Sequence, residues 1–211
     1  MTIGRASFSG HLAAKKSAPP GPGFWWHVKN RTRWTFIIGW LFNWLAKQFS
    51  ALTGITTLTS ELSVRLFRAN GEVIDYGVVS RRVITDAGVA FLVDDWDNNG
   101  QDITTMNFHG CGTGTGAEAV GDTALGAEST TALNPDSTRA TGTRSQPAAN
   151  QYRTTGTLTF DASAAITEHG ILSQAATGGG TLWDRSVFSA INVVGGDSIQ
   201  FTYTCTCSSG G

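Results

Sequence analysis

Lysine is absent from this 211-residue sequence after Lys47, and no Asp or Glu occurs before residue 51. These two absences divide the chain. Residues 1–50 carry seven Lys or Arg (Arg5, Lys15, Lys16, Lys29, Arg31, Arg33, Lys47) and five of the seven Trp. Residues 51–211 carry eight Arg and all 16 acids. The formal net charge of −1 is therefore +7 followed by −8. A basic aromatic arm and an acidic body imply different partners. The body would repel phosphates, which argues against nucleic-acid binding by it. The arm suits either nucleic acid or an acidic protein surface.

Cysteine is scarce: Cys111, Cys205 and Cys207 alone do not make a disulfide-dense secreted scaffold. Cys205 and Cys207 stand two apart, on one face of a strand with poor bridging geometry, and are expected as small, half-buried, reduced residues. Long apolar runs are also missing. The longest, Trp34 to Ala46, is interrupted by Gly39 and Asn43 and falls short of the roughly 17–25 residues that a spanning helix needs. It lies too deep for a signal peptide, and no small-residue cleavage site follows it. A membrane span is not expected.

Two domains are expected, an arm over 1–50 and a body over 51–211. Within the arm, Pro19-Pro20-Gly21-Pro22-Gly23 reads as an extended linker. Beyond it, Trp34, Ile37, Ile38, Leu41, Trp44 and Leu45 fall on one face at helical spacing, and Phe36, Trp40 and Phe42 broaden that face. A helix apolar on most sides is normally buried among neighbouring subunits or against the rest of the chain. Trp25, Trp26, Trp34, Trp40 and Trp44, with Arg31 and Arg33, are the candidate partner-binding residues. The alternatives are an interfacial membrane segment, a transit sequence, or translation from an early start codon.

The body changes composition, with 25 Thr between residues 51 and 211 and no long helical pattern. Short β-branched runs between turn signals predict an all-β chain, an antiparallel sandwich or jelly roll of about eight to ten strands. Leu62–Leu66 and Val73–Val79 flank Asn70-Gly71 and read as a hairpin. Arg82–Thr85 and Gly88–Val93 read as a further short strand pair, and Ile103–Phe108 as an alternating strand. Residues 110–150 read as long loops with one short strand near Thr138–Thr143. Tyr152–Phe160 with Ala165–Leu172 reads as a hairpin, and Thr181–Ile191 with Ser198–Cys205 completes the sheet around Gly195-Gly196-Asp197.

Candidate chemistry is sparse. Asp95-Trp96-Asp97-Asn98-Asn99-Gly100 matches the opening of a calcium loop, making Asp95, Asp97 and Asn99 weak calcium candidates. The twelfth position is Met106 rather than Glu, and an acidic turn between strands explains the same residues. The Gly-rich run His109 to Gly116 lacks the Lys of a phosphate loop and reads as close backbone approach. His109, Cys111, Glu168, His169 and Asp184 could be assembled into a triad, yet no nucleophile elbow or zinc spacing supports it. On a strand, Glu168 and His169 point to opposite faces, so at most one enters the core. Glu168 with Arg185 is expected as a structural ion pair joining two strands. Neither an enzyme nor a cofactor is expected.

An ordered set of segments carries a resemblance. Arg68-Ala69-Asn70-Gly71 and Val83-Ile84-Thr85-Asp86-Ala87-Gly88-Val89 come first, then His109-Gly110-Cys111-Gly112-Thr113-Gly114 and Gly121-Asp122-Thr123-Ala124-Leu125. Tyr152 to Thr157, Ile166 to Ile171, Leu182 to Phe188 and Gly196 to Tyr203 follow. Together, over about residues 60–207, they resemble a family of small virion structural proteins of tailed bacteriophages. The Trp-rich segment 24–50 lies outside the resemblance. The resemblance implies a non-enzymatic β-sandwich in a virus particle assembled in a host cytoplasm. With the basic aromatic arm read as a tether, the expected role is a capsid decoration or cement protein attached through residues 24–50 to capsid or tail proteins. A symmetric lattice favours a trimer or another closed oligomer. The alternatives are a tail-fibre or tail-tip module contacting glycans through residues 110–150, a calcium-dependent carbohydrate-binding or hydrolytic module, and a membrane-interface protein.

Overall fold

Ten strands form the framework of the described chain, residues 56–81 and 83–209 of a computed structural model. These residues belong to a unit bounded by Gly54–Gly211. The expectations placed on residues 1–50, including all five arm Trp, lie outside the described residues.

In chain order the elements are β1 (Thr57–Phe67), β2 (Val73–Ser80), β3 (Val83–Ile84) and α1 (Asp86–Trp96), followed by a 3-10 turn at Ile103–Thr105. Then come β4 (Phe108–Gly112), β5 (Ala140–Thr141), β6 (Thr143–Ser145), β7 (Gln151–Thr159), β8 (Ala164–Leu172), β9 (Leu182–Val193) and β10 (Ser198–Ser208). They form two antiparallel five-stranded sheets, β2-β1-β10-β7-β6 and β3-β9-β8-β4-β5. The expected β-sandwich is present.

The period-2 pattern explains the first sheet. On β10, Ile199, Phe201, Tyr203 and Cys205 are buried while the intervening Gln and Thr are half-exposed, and β1 buries Leu62, Val64 and Leu66. The abundant Thr pairs across the outer face. Thr155 Oγ1 lies 3.4 Å from Thr202 Oγ1, and Arg153 Nε donates to Thr204 Oγ1 at 3.1 Å. The Asn70-Gly71 turn closes the β1–β2 hairpin with Gly71 at φ 90°.

Three expectations are corrected. Gly88–Val93 is not a strand but part of α1. Thr85 caps that helix, its Oγ1 accepting from Gly88 N at 3.0 Å and donating to Leu182 O at 2.5 Å. Gly88 is where α1 meets β9, since a Cβ there would lie 2.8 Å from Trp183 Cα. Ile103–Phe108 divides into the 3-10 turn and the start of β4. The third correction concerns pairing: β7 and β8 lie in different sheets, as do β9 and β10. Both connections are corners between sheets, not hairpins.

The two corners are joined to each other. Phe160 N donates to Asp197 O at 2.9 Å and Gly196 N to Phe160 O at 2.7 Å. The Asp197 carboxylate, 1% exposed, accepts from Arg68 Nη1 (2.7 Å), Ala69 N (2.9 Å) and Val194 N (3.0 Å). Burial opposes its charge, but the N–H groups of Val194 and Ala69 and the Arg68 guanidinium outweigh that and hold it below the ordinary carboxylate range. We expect Asp197→Ala to cost about 2–4 kcal/mol in urea denaturation at neutral pH, because two backbone N–H groups and Arg68 lose their acceptor. With the folded value depressed, this contribution is complete above the unfolded-state value of 3.8 and is lost as acid protonates the folded carboxylate. The variant's deficit should therefore shrink in strong acid.

Candidate functional site

The segment between β4 and β5 contains few apolar residues, yet it covers the outer face of the second sheet. A buried carboxylate holds it there. Glu168 Oε1 accepts from Gly114 N (3.0 Å) and Ala127 N (2.7 Å), and its Oε2 accepts from Gly126 N (2.9 Å). Arg185 completes the cluster, with Nε and Nη2 at 3.0 and 2.8 Å from Oε2 and Nη1 at 2.9 Å from Asp122 Oδ2. Glu168 is fully buried and Arg185 nearly so. The structure thus brings together the expected pair, on adjacent strands β8 and β9. The Gly-rich run is close approach: a Cβ on Gly114 would collide with the Glu168 carboxylate.

A second clamp holds the other end of the segment. Arg139 forms a two-pronged pair with Glu128 (2.6 and 3.0 Å) and donates to Gln174 O and Gly179 O at 2.9 and 2.8 Å. Gly178 N also donates to Glu128 Oε2 at 3.0 Å.

The expectation that only one of Glu168 and His169 enters the interior is corrected, since both are fully buried. They do face opposite sides, but the covering segment makes the outer side interior as well. On the side facing the first sheet, His169 Nε2 lies 2.9 Å from His109 Nδ1, and His109 Nε2 lies 3.1 Å from Thr154 Oγ1. His169 Nδ1 is buried without a hydrogen-bond partner among the described residues. The tautomer that leaves no buried N–H unpaired has His169 Nε2 donating to His109 Nδ1 and His109 Nε2 donating to Thr154. Burial lowers the His109 pKa to about 3, and burial followed by the neighbouring His109 holds His169 well below its ordinary value. Both rings are neutral at pH 7.

Asp184 forms a separate cluster. The β8–β9 register shifts between Ile171 and Leu172, and Trp183 and Asp184 both reach Tyr203. Trp183 Nε1 donates to the Tyr203 hydroxyl at 2.8 Å, and Ser186 Oγ donates to Asp184 Oδ1 at 3.3 Å. Burial raises the Asp184 pKa to about 7 against the opposing hydrogen bonds of Ser60, Ser186 and Tyr203. The Cys111 thiol is pushed up by its burial. The five residues that could have formed a triad are therefore distributed: His109 with His169, Glu168 with Arg185, Asp184 with Tyr203, and Cys111 as a buried free thiol.

The calcium candidates lie at the end of α1 and in the turn after it, rather than between strands. Asp95 Oδ1 accepts from Ile103 N at 3.2 Å, and Asn98 and Gly100 turn the chain at φ 53° and 79°. Among the described residues no group of three or more His, Cys, Asp or Glu is placed to hold a metal. Cys205 is buried and Cys207 exposed, both as free thiols.

One apolar surface stands out. Val89, Val93 and Trp96 follow one another along the outer side of α1, with Trp96 75% exposed, and Val120 is exposed beside the helix start, where its carbonyl accepts from Asp86 N. Among the described residues no helix is long and apolar enough to cross a membrane. The residues that sequence reasoning missed are Asp197, the Glu128–Arg139 clamp and the contact of His109 with Thr154. Arg68 and Asp197 lie far apart in the chain, as do His109 and Thr154, and Glu128 and Arg139, 11 positions apart, follow no helix or strand spacing. Comparison with protein-family models, curated proteins and solved structures found no match.

Proposed function

We propose that this chain is a structural virion protein of a tailed bacteriophage, a capsid decoration or cement protein. In this reading the basic, Trp-rich segment 24–50 attaches it to the particle and the β-sandwich is displayed. One observation carries the reading. The segments that bear the resemblance converge on buried polar clusters: Arg68-Ala69 with Gly196-Asp197, and Gly112-Thr113-Gly114 and Gly121-Asp122 with Glu168 and Arg185. The resemblance therefore rests on groups that hold a rigid shape, and in a decoration protein rigid shape is the function. The exposed face of α1 gives the body an apolar contact surface, and the charge split gives the arm affinity for an acidic lattice. A closed oligomer, a trimer, suits repeated placement on such a lattice.

The clamping of the covering segment at Glu128–Arg139 favours a second reading, a tail-tip module presenting a rigid loop to a host glycan. Mass spectrometry of purified particles separates the two: hundreds of copies indicate the head, a few the tail, and absence from particles overturns both. In the full chain, Arg31→Glu with Arg33→Glu should weaken docking to particles by roughly tenfold or more, and more so at low salt. Unchanged docking would remove the arm from the attachment.

A further inference from the structure

Leu58, Leu92, Ile103, Met106, Trp183 and Cys205 line a cavity of about 290 Å³, drawing on both sheets and α1. Arg144, Tyr152 and Cys207 also line it, and the same three residues border a wider, more open basin of about 790 Å³ with Gln146, Asn150 and Gln151. An apolar chamber and a wider, more open vestibule thus share one rim.

We propose that this chamber binds a small amphiphile with an anionic end, a medium-chain carboxylate whose tail fills the cavity and whose head meets Arg144. Size, lining and charge all fit such a ligand. The chamber is at the small end of ligand pockets, which run from roughly 300 to 1,000 Å³, so it fits a short chain with any excess in the vestibule. Its walls are apolar apart from the rim. Burial keeps the Cys205 thiol neutral, with its pKa pushed up to about 12. The Tyr152 hydroxyl, also pushed up to about 12 by burial, is occupied in donating to Met106 O at 2.8 Å. Among the described residues Arg144 is the one cation on the rim, and it forms no ion pair with any of them. Its Nη1 donates to Thr104 O at 3.2 Å, which leaves other guanidinium donors for a carboxylate. Asp102 lies near enough to feel the Arg144 charge but forms no ion pair with it, its Oδ1 accepting from Thr104 N at 2.8 Å.

The test uses the full chain at neutral pH, titrated with octanoate, hexanoate and octan-1-ol. Calorimetry is the first readout. The rate at which a water-soluble maleimide labels Cys207 is the second, since that exposed thiol is on the rim. Octanoate should bind saturably and slow the labelling. Hexanoate should bind roughly fifteenfold more weakly, about fourfold per methylene removed, and octan-1-ol about tenfold more weakly for lack of the charged head. Arg144→Gln, at an exposed position, should abolish the preference for octanoate over octan-1-ol. No saturable heat and unchanged labelling would overturn the inference. A preference for octanoate that survives Arg144→Gln would overturn the role given to Arg144. Neither result bears on whether the chain resides in virions.

Discussion

Arg185→Leu is expected to lower folding stability by about 3–5 kcal/mol, the usual cost of breaking one side of a buried ion pair. For a chain of this size that is a fall of roughly 6–20 °C in Tm. The substitution removes the guanidinium that touches both Glu168 and Asp122, leaving the Glu168 carboxylate in the interior with only backbone donors. Glu168→Gln alone should also be costly. Both carboxylate oxygens accept from backbone N–H groups, so either orientation of the amide turns its NH2 against a donor. The double variant should lose less than the sum of the two, and the difference measures the coupling. Hydrogen exchange locates the effect: the amides of Gly114, Gly126 and Ala127 should lose protection first, because Glu168 is their acceptor. A loss below about 1 kcal/mol with those amides still protected would mean that the pair does not hold the segment.

Stability should rise with pH from about 4 to about 6.5, with a slope set by three buried groups. His109 and His169 have folded values below the unfolded value of 6.5. Below 6.5 the unfolded chain takes up two protons that the folded chain refuses, so these groups make stability increase with pH. Asp184 acts in the opposite direction. Its folded value of about 7 exceeds the unfolded 3.8, so the folded chain keeps a proton that the unfolded chain has lost. Its contribution is complete below the unfolded value and is lost as pH rises through 7. Two protons against one leave a net slope of about 1.4 kcal/mol per pH unit over the shared window. Asp184→Asn should roughly double that slope. It should also make the variant more stable than the parent above about pH 7, by up to about 4 kcal/mol, the equivalent of the Asp184 shift. Urea denaturation at about pH 5, 6.5 and 8 measures all three quantities. A parent slope of zero would mean that the histidines are not held neutral, and no gain for Asp184→Asn at pH 8 would mean that its carboxylate is not strained by burial.

Strands with one buried face were readable from local sequence. The alternation in Leu62–Leu66 and in Ile199–Cys205 has a period of two, and Asn70-Gly71 marks a turn whichever fold surrounds it. The helix was not readable in the same way. Val89, Phe91, Leu92 and Val93 resemble a strand in composition, and the deciding signal was the Thr85 cap with Gly88 three residues on. The corners were missed for another reason. Asp161-Ala162-Ser163 turns the chain equally well within one sheet or between two, and the choice is made by the hydrogen bonds joining Phe160 to Gly196 and Asp197. The Glu168–Arg185 pair was legible because two opposite charges lay in adjacent strand-like segments otherwise poor in charge.

By itself the sequence determined a β-rich body, the split between a basic arm and an acidic remainder, and the absence of a long apolar run. Each of these follows from composition or from a period of two, properties that a chain has before it folds. Only the tertiary structure decided that the centre of the second sheet, around Glu168 and Arg185, is interior on both faces. Its outer cover is a segment poor in apolar residues, held by one carboxylate through three backbone N–H groups and by the Glu128–Arg139 clamp. Hydrogen bonds to backbone leave no hydrophobic pattern in sequence, so such a cover becomes visible only when its distant partners are brought within about 3 Å of each other.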